Sequence, residues 1–199
     1  KSNQFGGWLM KVDELGEIEG ESENFGEANS VLRSIVNAPD GSLLITGSIL
    51  VNQFDDLLVK KINIDGSIDW SNNYGSEYPD GGNAIINLSD GDIGVIGYSY
   101  INTVNQDIFV LKIDSDDGSE IWSTKIGGNE ADIGHDILPS EGGGMYILGE
   151  TYSQGDAYGD IWIIELHSEG YPIDTVLIEY NGKQVGYSFA KLELGGFTI

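Results

Sequence analysis

Cysteine is absent from the 199 residues. This excludes disulfides and thiolate metal sites but leaves the compartment open, because many exported prokaryotic proteins also lack it. Proline is scarce, with four residues against 29 glycines; the ratio suits many tight turns and shows neither a collagen-like period nor linker-like low complexity. Long apolar runs are missing as well. The longest candidate, Leu43 to Val51, is broken by Thr46, Gly47 and Ser48, so nothing reads as a membrane span. Positive charge is nearly absent: nine lysines and arginines face 33 acids, for a formal charge of −24. Such a surface repels phosphate backbones and argues against nucleic acid and anionic membrane as partners. The acidity reads as a solvated surface kept soluble by its charge, or as cation binding or life at high salt. No segment sustains an i, i+3, i+4 apolar pattern, so almost no helix is expected. The chain opens KSNQ, without an initiator Met or a signal-like apolar segment, and is expected to be a processed or excised piece.

What is present is a repeat. The stretch Asp107 to Gly128, DIFVLKIDSDDGSEIWSTKIGG, recurs along the chain with its landmarks in register. The strand-opening Asp falls at Asp56, Asp107 and Asp160, and the turn glycine at Gly16, Gly66, Gly118 and Gly170. Four residues after each glycine stand Gly20, Trp70, Trp122 and Asp174; fifteen further stand Ile35, Ile85, Ile137 and Phe189; twelve more lead to Gly47, Gly97 and Gly149. Fixed offsets in a period of roughly 50 residues mark a repeat architecture. The expected units are 1–32 (partial), 33–82, 83–134, 135–186 and 187–199 (partial), within one domain spanning 1–199.

Each unit reads as four strands. In the first they are Ser34 to Ala38, Ser42 to Ile49, Asp56 to Ile64 and Ile68 to Tyr74, and the others follow suit. Asp-Gly between apolar runs is the strongest short-range hairpin signal, because glycine supplies positive φ freely. The third strands (IFVLKI, IWIIEL) are almost continuously apolar, which implies burial on both faces, as in small sheets stacked like fan blades. Four antiparallel strands per repeat predict an all-β fold, a β-propeller of about four repeats, either a closed four-bladed ring or a fragment of a larger one. The N-terminal half-unit (Trp8 to Val12, then a weak strand toward Phe25) would supply third and fourth strands, and Tyr187 to Ile199 a first and part of a second.

Strand parity places the Asp-Gly turns at one edge and the links between second and third strands, with the crossings between units, at the other. The second set is expected to be longer: Val51 to Asp55, Ser99 to Gln106, Thr151 to Gly159, and the crossings Gly75 to Asn83 and Gly127 to Gly134. That edge is the candidate binding face. Tyr78, Tyr98, Tyr100, Tyr152 and Tyr158 lie in or beside it, flanked by Asp and Asn, a composition suited to sugar or protein recognition as well as to ordinary loop packing. Asp80 and Asp132 sit at equivalent positions, matched by Ser30 and Gln184. They are candidates either to bind Ca²⁺ with Glu77 and Glu130 or to cap backbone amides.

Other chemistry is thin. Trp70 and Trp122 fit packing between sheets better than a cofactor platform, as do Trp8, Phe109 and Trp162 at another repeated slot. Asp114 to Gly118 fails the spacing of a calcium-binding helix-loop-helix, since Lys125 stands where its closing Glu is needed. His135 and His167 lack a nearby second ligand for zinc. No G-x-S-x-G, P-loop or G-x-G-x-x-G motif occurs, and no carboxylate pair is singled out for glycoside hydrolysis.

The segment Trp122 to Gly170, WSTKIGGNEADIGHDILPSEGGGMYILGETYSQGDAYGDIWIIELHSEG, closely resembles a β-propeller repeat common in secreted and cell-surface proteins of Bacteroidetes and some archaea. Asp107 to Trp122 also resembles the tryptophan-docking repeat of quinoprotein-type (PQQ-type) propellers. The resemblance covers nearly the whole chain. It implies an exported, prokaryotic cell-surface or secreted propeller acting as a non-catalytic recognition or scaffold domain for a glycan or protein. Its other implications are a propeller enzyme, quinoprotein-like or carbohydrate-active, and a purely architectural module. No cofactor is expected beyond the candidate Ca²⁺. Gly20 and Asp174 depart from the tryptophan of the repeat, and Glu165 from the strand lysine held by Lys11, Lys61 and Lys112.

Overall fold

The computed structural model describes residues 6–7, 9–19, 29–155 and 158–199. The expectations for Trp8, Gly20 and Phe25 lie outside them. Three four-stranded antiparallel sheets follow one another as simple meanders. The first is built from β1 (Ser30–Asn37), β2 (Leu43–Val51), β3 (Phe54–Ile62) and β4 (Ile68–Tyr74). The second holds β5 (Asp80–Asn87), β6 (Ile93–Tyr100), β7 (Gln106–Ile113) and β8 (Glu120–Ile126). The third holds β9 (Asp132–Pro139), β10 (Met145–Thr151), β11 (Asp160–Leu166) and β12 (Pro172–Ile178). A short pair, β13 (Ala190–Lys191) and β14 (Phe197–Thr198), forms a sheet of its own. The sole helical element among the described residues is a 3-10 turn at Glu141–Gly143.

The sheets converge at their first strands: β5 packs on β1, β2 and β3, and β9 on β5, β6 and β7. This is the blade arrangement of a β-propeller, with first strands at the inner edge. Alternation within the apolar third strands divides each between two interfaces. From β7, Phe109, Leu111 and Ile113 join Leu44, Leu57 and Val59 of the first sheet. Ile108 and Val110 of the same strand join Ile137, Met145, Ile147 and Ile164 of the third. A side chain with period two in a two-sided blade has no solvent face to waste, which explains the unbroken apolar sequence.

The repeated isoleucine slot measures how complete the stacking is. Ile85, Ile137 and Phe189 are 4%, 1% and 5% exposed, each covered by the sheet before it, while Ile35 is 49% exposed. No four-stranded sheet precedes β1 among the described residues. Among the described residues a small hairpin lies there, closed by the Val12–Ile18 bridge, beside a cavity of about 510 Å³ walled by Leu9, Met10, Ile35, Leu43 and Ile62.

At the outer edge, tryptophans strut one blade to the next. The Trp122 indole lies against Gly170 and donates to the Ser168 carbonyl at 2.8 Å; the Trp70 ring lies against Gly118. Gly118 and Gly170 hold φ of 71° and 86°, a conformation glycine reaches without strain, and a side chain at either would strike the indole. The strand lysines serve the turns. Lys61 pairs with Asp40 at 3.0 Å, and Lys112 with Asp90 at 2.6 Å and Asp92 at 3.0 Å. In the third unit Glu165 replaces the lysine, and the facing turn is the 3-10 turn instead.

Candidate functional site

The first strand of every blade contains a β-bulge, and the bulges build the inner edge. Pairing skips Arg33 in β1, Asn83 in β5 and His135 in β9. A bulge adds one residue to one strand and turns its side chain away from the pleat. Facing the three bulges stand Gly47, Gly97 and Gly149, the repeated glycines of the second strands. A methyl carbon on Gly97 would stand 1.8 Å from the Gly81 carbonyl oxygen, and one on Gly47 1.9 Å from that of Val31. The glycine is thus the residue the bulge requires.

The bulge side chains reach from blade to blade. Arg33 donates to Ser48 Oγ at 3.3 Å, with its guanidinium 6.0 Å from the centre of the Tyr98 ring in the next blade. Asn83 donates to the Gly134 carbonyl at 2.7 Å. His135 Nε2 lies 3.5 Å from Glu150 Oε2, and its ring meets Tyr187 edge-on at 5.2 Å. Tyr187 holds the same slot in the last unit.

Glu150 is the most constrained acid of this edge, 3% exposed. Its other oxygen is ion-paired with the Lys183 ammonium at 2.8 Å, and that ammonium also reaches the Tyr152 hydroxyl at 2.6 Å. Burial disfavours the Glu150 charge, yet hydrogen bonds from Lys183 and Tyr152 overcome it and hold its carboxyl below the usual range. Burial likewise lowers the His135 pKa, against the pull of Glu150. His135, Glu150, Tyr152 and Lys183 thus form one polar cluster. Of these, only Tyr152 stood among the candidates from sequence. The available signal was that His135 shares its slot with Arg33 and Asn83, and Glu150 its slot with Ser48 and Tyr98. His167 is elsewhere, stacked on Tyr171 at 4.6 Å.

At the loop edge the predicted residues fall into three places. Asp80 and Asp132 are not in loops: each is the first residue of its strand, fully buried. Asp80 Oδ2 accepts from the Ser76 amide at 2.7 Å and its hydroxyl at 3.1 Å. Asp132 Oδ2 accepts from the Gly128 amide at 2.9 Å and Ser153 Oγ at 2.7 Å. They cap the crossings, and Glu77 and Glu130 are exposed. Tyr78 lies 6.3 Å from Phe54, and Tyr100 sits edge-on to Tyr98 at 6.1 Å. Tyr152 belongs to the inner cluster, while Tyr158 is 64% exposed. The structure does not gather the six into one pocket. Two clefts of about 350 and 360 Å³ flank the first crossing, the larger lined by Asn52, Gln53, Phe54 and Glu77.

The expected length difference between the two edges holds only in the third unit. Val51 to Asp55 is a two-residue turn between β2 and β3 with Asn52 at φ 58°. The crossings are also shorter than expected, because the first strands start before their bulges. Among the described residues, no three His, Cys, Asp or Glu side chains converge on a point, and no helix is long and apolar enough to cross a membrane.

Fold and inner edge together define a β-propeller of four-stranded antiparallel blades. No protein-family model matches the chain, and comparison with curated proteins gives no match. Among solved structures it is similar to a puromycin-hydrolysing peptidase of Mycobacterium tuberculosis, with TM-score 0.52 and 14% identity over 85% of this chain and 28% of the peptidase. The chain thus spans well under two thirds of that protein, and the likeness is one of fold. A second similar structure is the periplasmic gluconolactonase PpgL of Pseudomonas aeruginosa, with TM-score 0.48 and 12% identity over 92% of this chain and 68% of that one.

Proposed function

We propose that this chain is a non-catalytic, exported recognition or scaffold domain whose loop edge binds a glycan or protein partner. The observation that carries this reading is the state of the loop-edge side chains. The Phe54 ring, 41% exposed, stands beside Asn52, Gln53 and Glu77 in a surface cleft, with Tyr78 next to it at 6.3 Å. The buried carboxylates nearby, Asp80 and Asp132, are engaged in capping. Ring faces bordered by amides and acids suit sugar planes and polar peptide surfaces. Export and a prokaryotic surface location rest on the resemblance to the secreted Bacteroidetes and archaeal repeat. The −24 charge disfavours nucleic acid as the partner.

A glycan array, followed by titration of the best hit, tests the reading. Phe54→Ala, Tyr78→Ala and Tyr100→Ala are expected to weaken binding roughly tenfold or more where the ring stacks on the ligand. Binding that ignores all three rings would defeat it, as would an array and a surface-protein screen that both stay blank. One observation favours an enzyme instead: buried Glu150 between His135 and Lys183. A screen for glycosidase or dehydrogenase turnover that is abolished in Glu150→Gln would establish that alternative.

A further inference from the structure

The two crossings between complete blades share one frame and differ in their donors. At each, a glycine is flanked by an Asp near the start of the third strand of one blade and the Asp that opens the first strand of the next. A methyl carbon on Gly75 would touch carboxylate oxygens of Asp56 and Asp80. On Gly127 it would stand 2.5 Å from Asp107 Oδ1 and 2.6 Å from Asp132 Oδ2. At the first crossing, Asn73 donates to Asp56 Oδ2 at 2.7 Å and supplies that pair with a neutral donor. At the second, Lys125 occupies the place of Asn73, pairing with Phe109 where Asn73 pairs with Leu58. Its ammonium lies over the Phe109 ring, 5.9 Å from the centre.

The second crossing therefore keeps three buried oxygens without a donor: Asp107 Oδ1, Asp132 Oδ1 and Asn105 Oδ1. Asp132 is 0% exposed and Asn105 5%. Asn105 is anchored at the same spot by its own amide, which donates to the Gly128 carbonyl at 3.0 Å. Asp107 Oδ1 and Asp132 Oδ2 border Gly127, and the Asp132 and Asn105 side chains, each with a donorless oxygen, are both anchored on the neighbouring Gly128, so the crossing gathers a hard-oxygen donor set. A proton shared between the two aspartates leaves the Asn105 oxygen without a donor, whereas a divalent ion takes several such oxygens at once.

We propose that the second crossing binds one Ca²⁺-type cation through Asp107, Asp132 and the side-chain oxygen of Asn105, and that the first crossing does not. Backbone carbonyls and water complete the roughly six to eight oxygens such an ion takes. The ion ties the outgoing third strand of the second blade to the inner strand of the third. This ligand set differs from Asp132 paired with Glu130, and it is independent of the recognition function.

The test is calorimetric titration of the chelator-dialysed protein with CaCl₂ at physiological ionic strength, joined to thermal unfolding with and without the ion. Wild type is expected to show one saturable site and a raised unfolding midpoint. Asp107→Asn and Asn105→Ala should each weaken it about tenfold or more, while Asp56→Asn leaves it unchanged. Without Ca²⁺, Asp107→Asn should unfold at a higher temperature than wild type, because one of two crowded charges is gone; with Ca²⁺ the order should reverse. No saturable site in wild type overturns the proposal. So does weak multi-site binding that follows net charge and ignores Asp107 and Asn105.

Discussion

Gly97→Ala tests whether the repeated glycine is there for the bulge. The new carbon would stand 1.8 Å from the Gly81 carbonyl oxygen and 2.9 Å from Gly82 Cα, whereas a carbon and a carbonyl oxygen need about 3.3 Å. Relief requires the inner strand to move by roughly 1.5 Å, taking the difference of those two distances. A ladder hydrogen bond does not survive that stretch. Losing one or two ladder bonds costs about 1 kcal/mol each net, plus the desolvation of groups left unpaired, and forced overpacking adds about 1–3 kcal/mol. Before desolvation the sum is about 2–5 kcal/mol, a large share of the roughly 5–15 kcal/mol that holds a domain together. For a chain of this size it corresponds to a fall of roughly 10 °C in unfolding temperature. Equilibrium urea denaturation of Gly47→Ala, Gly97→Ala and Gly149→Ala reads it directly. Gly149→Ala should be mildest, because its nearest obstacle is the flexible Ile108 Cδ1 at 2.6 Å, with the Ile133 carbonyl at 3.1 Å. If Gly97→Ala stays within about 0.5 kcal/mol of wild type, or if Gly149→Ala is the worst of the three, the explanation is wrong.

Lys112→Met should destabilise by about 1–3 kcal/mol at pH 7, because the buried ammonium closes the Asp90–Asp92 turn. Burial opposes the Asp90 charge, but the Lys112 hydrogen bond prevails and leaves its folded pKa lowered. That stability is therefore present above the unfolded carboxylate value of about 4 and lost as pH falls through the folded one. The gap between variant and wild type should shrink at pH 3, and an equal gap at both pH values would refute the pairing. His135 should titrate below its ordinary value in an NMR pH series, because burial lowers it while Glu150 raises it. Glu150→Gln should push it lower still, and a His135 pKa above the ordinary value would contradict the described cluster. A histidine depressed in the folded state binds its proton sooner when unfolded, so this contribution to stability is lost as pH drops below about 6.5.

Periodicity made the blades readable. Gly118 and Gly170, Trp70 and Trp122, and Ile85 and Ile137 recur at fixed offsets because each performs one structural task per blade, and the structure shows those tasks. Local irregularity hid the rest. Gly81, Gly82 and Asn83 read as loop because a bulge breaks strand alternation just there, which shifted the start of β5 and put Asp80 in a crossing instead of a strand. Asn52 closes a two-residue turn by adopting φ 58°, a conformation asparagine tolerates but does not announce. Lys183 and Glu150 lie in one unit, but their slots hold Ala131 and Tyr98 in the unit before, so no repeated pair points to their meeting.

The constant glycines and the changing bulge residues divide the inner edge into two kinds of position. Gly47, Gly97 and Gly149 face backbone or tightly packed side chain, so the fold sets their identity. Arg33, Asn83, His135 and Tyr187 occupy one slot with four different chemistries, so the fold requires only that the slot project from the pleat. The first three each find a partner in the following blade or unit: the Tyr98 ring, the Gly134 carbonyl and the Tyr187 ring. A frame that repeats strictly while its projecting residues vary can change what the inner edge presents without altering how the blades pack. The same division holds at the crossings. Gly75 and Gly127 preserve the close approach of two aspartates, and exchanging Asn73 for Lys125 changes whether a neutral donor satisfies them.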